Sequence, residues 1–368
     1  MSRWLIIWSA ILLSSCYISD DVAPDESIWE YAAPSEVGLN DDNLLQLDAD
    51  IKSEEHGKVT GLIIVRDDKL VFENYYDSQR GELKPIGRAS LICAILLLDH
   101  FISQGYISSL DAPIYQYLPE YESAFENDIE KRQITIRHLL IHRSGLSWNE
   151  GIINSERSES DIRQMKRSVD WAGYVLNKQL EASPGLRTSI NSAHGILLAK
   201  IYQNVLKETS LTSVIDELLF QPLGINDYLI EQSRDSTLDL ANGIWLSTMD
   251  YAKIGYLIIQ EGRWKDKVRV VDRDWILDMI SVQNTVSYDY SFGYGWWIFT
   301  PDFINLRIPS AENCLFISGG SGENLYLLPD LNMLVCISAE NPFSGTIYNK
   351  SLIILLKSLR QEIPQSSN

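Results

Sequence analysis

The side chains able to do chemistry sit in a few places along this chain. Ser90 opens the apolar run from Ala89 to Gly105. A serine at a helix start is either an N-cap or a nucleophile, and the run by itself leaves both open. Cys93 follows three residues later, a thiol in an apolar setting that would raise its pKa. Ile190-Asn191-Ser192 comes after Pro184-Gly185, with His194 close behind. Ser318-Gly319-Gly320-Ser321-Gly322 is a glycine-rich turn. It lacks the Gly-Lys-Ser/Thr ending of a phosphate loop and is not the Gly-x-Ser-x-Gly elbow of an α/β-hydrolase. His138 and His142 have the i, i+4 spacing of a metal pair but no glutamate between them, so they read as structural.

Particular elements must position these groups. Gly61–Val65 and Leu70–Tyr76 flank Arg66-Asp67-Asp68-Lys69, which is a hairpin pattern. Ala89–Gly105 is too long for a strand and predicts a buried helix ending near Gly105. Residues 106 to 270 read as helical stretches broken by Pro113, Pro119, Pro184-Gly185 and Pro222, with an amphipathic helix over Asp250–Gln260. Strands return at Trp296–Phe299, Cys314–Ser318, Asn324–Leu328 and Met333–Ser338, and Lys350–Leu359 closes the chain as a helix. Strands at both ends around a helical middle predict an α/β protein, a sheet lobe interrupted by an all-α lobe. A groove between such lobes is a natural ligand site. Of the aromatics before the late strands, Tyr294 is a candidate groove residue, and Trp296-Trp297 should place one ring inside and one outside.

Composition narrows the classes. The 368 residues carry a formal charge of −19, from 50 acidic against 31 basic side chains. Such a surface repels a nucleic-acid backbone, so no nucleic-acid partner is expected. Arg3 and the apolar stretch Trp4–Leu13 read as an export signal too short to span a bilayer. Leu13-Ser14-Ser15-Cys16 resembles a bacterial lipobox. The reading is a leader over 1–15, lipidation at Cys16, a tether over 16–28, and a protein held to the cell envelope on its periplasmic side by several acyl chains. Cys93, Cys314 and Cys336 are then an odd set with no metal spacing, and read as small buried hydrophobes. No metal or cofactor is expected.

An ordered series of phrases goes further. It runs from Trp29, Pro34 and Gly38-Leu39 through Leu110–Ile114, Tyr117–Tyr121, Ile134–Leu146 and Pro184-Gly185 to Gly293–Trp297, Ser318–Gly322 and Pro329–Asn332. In this order and spacing the chain resembles the β-lactamase-related serine hydrolases: class C β-lactamases, DD-peptidases, esterases and aminohexanoate-oligomer hydrolases. The resemblance implies an antiparallel sheet flanked by helices (sheet lobe 29–86 and 271–363, helical lobe 87–270). It also implies acyl transfer by a serine, with a lysine one turn later and a tyrosine handling its proton. Two backbone N–H groups would hold the oxyanion.

Carried onto this sequence, the resemblance makes Ser90 the nucleophile and the N–H groups of Ser90 and Gly320 the oxyanion donors. Ser192, Ser318 and Gly319 would line the groove. Three positions are degenerate: Cys93 stands for the lysine, Ile190 for the tyrosine, and Ile317 for the lysine or histidine of the late strand. The run from Ser90 to Gly105 is about two residues short for the family. Sliding the frame puts Arg88 at the serine place and Leu91 at the lysine place, a poorer set. Lys84, Arg88 and His194 are the remaining groups that could approach the Ser90 hydroxyl. Losing both proton-handling groups forfeits about 10²–10⁴-fold of assistance. The expectation is a weak or inactive hydrolase of amides or esters. The alternative is a binding or scaffold protein whose groove holds a small acyl molecule, a peptidoglycan-like peptide or a protein partner.

Overall fold

The computed structural model describes residues 28–151, 160–264, 268–308, 311–341 and 346–359. The expected leader, Cys16 and the tether up to residue 27 lie outside the described residues.

The sequence hairpin is β2 (Val59–Arg66) and β3 (Lys69–Tyr75), preceded by the short β1 (Glu30–Tyr31). Asp67 and Asp68 form its turn, with φ of 51° and 61°. Positive φ at both central residues is the handedness that matches a two-residue turn to strand twist. A small sheet of β4 (Lys84–Pro85), β5 (Leu229–Ile230) and β6 (Ile244–Leu246) follows, in the order β4-β6-β5. Next come a ribbon of β7 (Arg263–Trp264) and β8 (Val268–Arg269), then β9 (Asn284–Thr285), β10 (Tyr290–Phe292) and β11 (Trp297–Phe299). β12 (Leu315–Ser318), β13 (Asn324–Leu328) and β14 (Met333–Ala339) complete the set. The main sheet has nine strands in the order β1-β3-β2-β14-β13-β12-β11-β10-β9, antiparallel at every pairing except β1 with β3.

Period-2 alternation divides the core. In β14, Leu334 and Cys336 face one side, while Met333, Val335 and Ile337 face the other. The second side is covered by the terminal helices Asp41–Lys52 and Thr346–Leu359, through Leu44, Leu47, Ile354 and Leu355. The first side meets the helix Ser90–Ser103 and the rest of the helical residues in one continuous apolar cluster. Both faces are therefore buried, which explains the near-continuous apolar runs of β2 and β14. The helix Thr248–Ile259, inside the stretch read as the helical lobe, lies on β13, β14 and β2. Gly255 permits that approach, since a Cβ there would fall 2.9 Å from a methyl of Leu325.

The helix Ser90–Ser103 is apolar on every side and correspondingly buried. It stops where the sequence indicates: Gly105 takes φ +73° just beyond its last turn. Two of its backbone carbonyls are held from outside, Ala94 by the Tyr202 hydroxyl (2.9 Å) and Ile95 by the Trp275 indole (3.0 Å). Those side chains fix the helix in rotation and along its axis, and its first turn sets the floor of the cleft.

Candidate active-site cleft

A narrow cleft opens beside the end of β12. Its lining includes Arg88, Leu91, His142, Ile190, Ser192, Phe292, Trp297, Ile317 and Ser318. The late strand and the Ile190–Ser192 segment thus line the same cleft, and Gly319 is not part of that lining. Trp296 is fully buried while Trp297 is half-buried at the cleft wall, so one ring is in and one is out. Tyr294 is no groove wall: it is buried, stacked on Trp275, and accepts a hydrogen bond from Arg137.

The placement of Ser90 is a correction. Its side chain is fully buried, and its hydroxyl accepts the Ile244 N–H at 3.0 Å, tying the helix start to β6. Its own N–H is taken by carbonyls of the Gly87–Ala89 turn. Cys93 lies in the core as well, and burial pushes its thiol up to about 12. Arg88 and Leu91, three apart on one side of the turn, face the cleft instead. These are the two residues that the alternative frame of the sequence brings forward, a guanidinium and an isobutyl group.

Arg88 is anchored at both ends of its fork. Nη1 donates to the Ser318 carbonyl at 3.2 Å, and Nη2 lies 3.4 Å from Oε2 of Glu150. Glu150 is buried, and its Oε1 accepts the Ser192 N–H at 2.6 Å. Sequence reading missed Glu150. Lys84 does not approach: it pairs with Glu82 and with Glu340 (2.6 Å) beside β4.

Glu323 was also missed. Its Oε2 accepts the Ser321 N–H at 2.9 Å. Burial is the largest influence on this carboxyl and pushes it up to about 7, against the backbone N–H groups of its loop and the nearby Arg88 charge.

Behind the cleft lies a buried histidine pair. His194 opens the helix His194–Leu206 and is fully buried, neither on the surface nor in the groove. Its Nδ1 lies 2.9 Å from the Leu139 carbonyl and 3.2 Å from Nδ1 of His142, and its Nε2 lies 2.8 Å from the Ser144 hydroxyl. Donation to the carbonyl places the proton of His194 on Nδ1. His142 accepts the Asn191 N–H at 3.3 Å on Nδ1, which turns its other nitrogen outward, and it is the histidine that lines the cleft. Burial holds both rings neutral, His194 down to about 3 and His142 well below its ordinary value. His138 stays structural, accepting the Thr135 N–H in a capping box.

Among the described residues, one group could gather a metal: Asp50, Glu55 and His56, far along the chain from the cleft residues. The Lys357 ammonium already lies there, 2.5 Å from Asp50 and 3.2 Å from Nε2 of His56.

The sequence profile of the beta-lactamase family matches residues 52–342. The chain belongs to the beta-lactamase family. An uncharacterized protein of Alkalihalophilus pseudofirmus is 27% identical to it over 259 residues, 66% of this chain and 69% of that relative. Among solved structures, EstCE1, titled a hydrolase with promiscuous acyltransferase activity, superposes with a TM-score of 0.68 at 15% identity, covering 86% of this chain and 99% of that one. A penicillin-binding protein from Bacillus halodurans gives 0.64 at 16% identity, over 84% and 99%. At such identities the likeness is one of fold. In this beta-lactamase family chain, Ile190, Ser192, Ile317 and Ser318 line one cleft together with Arg88.

Proposed function

We propose that this beta-lactamase family member binds a small acyl or peptide ligand in its cleft and does not hydrolyse it. The observation that carries the reading is Arg88. A guanidinium stays protonated at any physiological pH, so it is neither nucleophile nor base. Leu91 and Ile190 beside it move no proton. The surroundings suit retention: aromatic walls from Phe292 and Trp297, and hydroxyls from Ser192 and Ser318. The ligand class we favour is a neutral or weakly charged amide such as a peptidoglycan-like peptide. We further propose that the chain works at a bacterial envelope, held by a lipidated Cys16. That part rests on the residues before position 17 and is tested by acyl labelling of wild type against Cys16→Ser.

One feature favours a second, hydrolytic reading. The Ser192 hydroxyl is buried at the cleft and has no hydrogen-bond partner among the described residues. The deciding experiment treats purified protein with a fluorophosphonate and with a fluorescent penicillin, then reads intact mass. No adduct on wild type, together with saturable binding of a peptidoglycan fragment, is the expected outcome. A serine adduct that forms and turns over, and is lost in Ser192→Ala, would establish hydrolysis instead.

A further inference from the structure

We propose that the backbone pocket formed by Gly87, Gly319 and Ser321 is a carboxylate site that the chain fills with its own Glu323, and that a small external carboxylate takes the same place when this side chain is withdrawn.

The pocket is built for an anion. The Ser321 N–H points at the carboxylate, 2.9 Å from Oε2, and supplies partial positive charge there. The turn is locked from behind, since the Gly319 N–H donates to the Glu323 carbonyl at 2.8 Å.

The pocket also fits its occupant closely. A Cβ at Gly319 would fall 1.8 Å from Oε1, and one at Gly87 would fall 2.0 Å from the same atom. Two segments remote in sequence therefore lack side chains where this one oxygen lies. Gly319 has no positive φ to require glycine, so the carboxylate is the physical reason at that position. Glu323 itself is buried immediately before β13, which continues from Asn324 as the apolar Leu325–Leu328. A carboxylate costs several kcal/mol to bury unless N–H donors or a cation receive it. Here both do: the donor above, and the Arg88 guanidinium nearby.

The inference stands apart from whether the cleft hydrolyses anything, because it concerns an anion that is not a substrate. Glu323→Ala empties the pocket and leaves the Ser321 N–H unpaired. Sodium acetate is the probe, with sodium chloride at equal ionic strength as control. The expected result is a saturable, acetate-dependent rise of roughly a few degrees in the Tm of Glu323→Ala. Wild type and Glu323→Gln, whose pockets stay filled, should give no such rise. An equal acetate response in all three proteins would overturn the proposal, as would none in a folded Glu323→Ala. A second measurement needs no destabilised variant. In wild type, the amide proton shift of Ser321 should follow the titration of the Glu323 carboxyl, and Glu323→Gln should flatten the curve. An amide shift indifferent to that titration would equally sink the idea.

Discussion

Arg88 and Glu150 close the floor of the cleft as an ion pair, Nη2 to Oε2 at 3.4 Å, and Glu150 carries the Ser192 N–H on its other oxygen. On the non-hydrolytic reading proposed above, this static charge pair stands where a nucleophile and its proton relay would otherwise act.

Restoring one residue should therefore not restore reaction. Arg88→Ser is expected to stay unlabelled by fluorophosphonate, because no base accompanies the new hydroxyl. Arg88→Ser/Leu91→Lys/Ile190→Tyr returns the full set and should acylate measurably. The single and triple variants are compared by adduct mass after equal exposure. Labelling of the single variant at the rate of the triple would show that another group supplies the base.

Arg88→Ala leaves Glu150 buried without its cation. Stranding a buried charged acceptor costs about 3–5 kcal/mol, more than a neutral one would lose. Chemical denaturation should show that loss, and Arg88→Ala/Glu150→Gln should recover part of it.

Ser90→Ala is a stability variant on this structure. It strands the Ile244 N–H, which the hydroxyl now accepts at 3.0 Å, and should cost about 1–3 kcal/mol. Ligand binding in the cleft should be unchanged. A loss of binding without loss of stability would return Ser90 to the groove.

Gly319→Ala should destabilise by about 1–3 kcal/mol through overpacking against the Glu323 carboxylate. In a Glu323→Ala background most of that cost should vanish. The double-mutant cycle gives the coupling directly, and additive effects would mean the two positions do not touch.

Two titrations act with opposite signs. The Glu323 carboxyl is raised to about 7 in the fold, facing Arg88 from the Gly87–Ala89 turn, Tyr251 from the Thr248–Ile259 helix and the N–H groups of its own loop. The folded state thus keeps a proton that the unfolded chain releases above its ordinary value of 4.5, and stability on this account falls as pH rises from 4.5 to about 7. His142 and His194 do the reverse. Unfolded, they take protons below 6.5; folded, they refuse them, His194 until about 3, so stability falls as pH drops below 6.5. Glu323→Gln should steepen the rise of stability with pH between 4.5 and 6.5, and His194→Gln should flatten it. Parallel curves for wild type and Glu323→Gln would contradict the raised value.

The sheet, the hairpin and the buried helix were legible because turn chemistry and apolar alternation carry them; Ile190, Ser192, Ile317 and Ser318 were picked out only through the family resemblance. The helix register was not. From Leu91 to Leu98 every side chain is apolar, so no polar stripe marks a face, and chemical preference chose Ser90 over Arg88. The length of the run back from Gly105 held the needed signal. Glu150 and Glu323 escaped for a different reason. They lie 62 and 235 residues from Arg88, and only the topology brings them together. A lone acidic residue between Gly322 and the apolar β13 was the visible trace of the second.

Both margins of the main sheet end in strands two residues long, β1 with Glu30 beside Lys69 and β9 with Asn284–Thr285. An exposed ladder that short, carrying opposite charges at one rim, offers a neighbouring molecule little to zip onto. The wide slab at the centre of this fold is thereby shielded from growing sideways into aggregates, however strongly its interior strands favour extended chain.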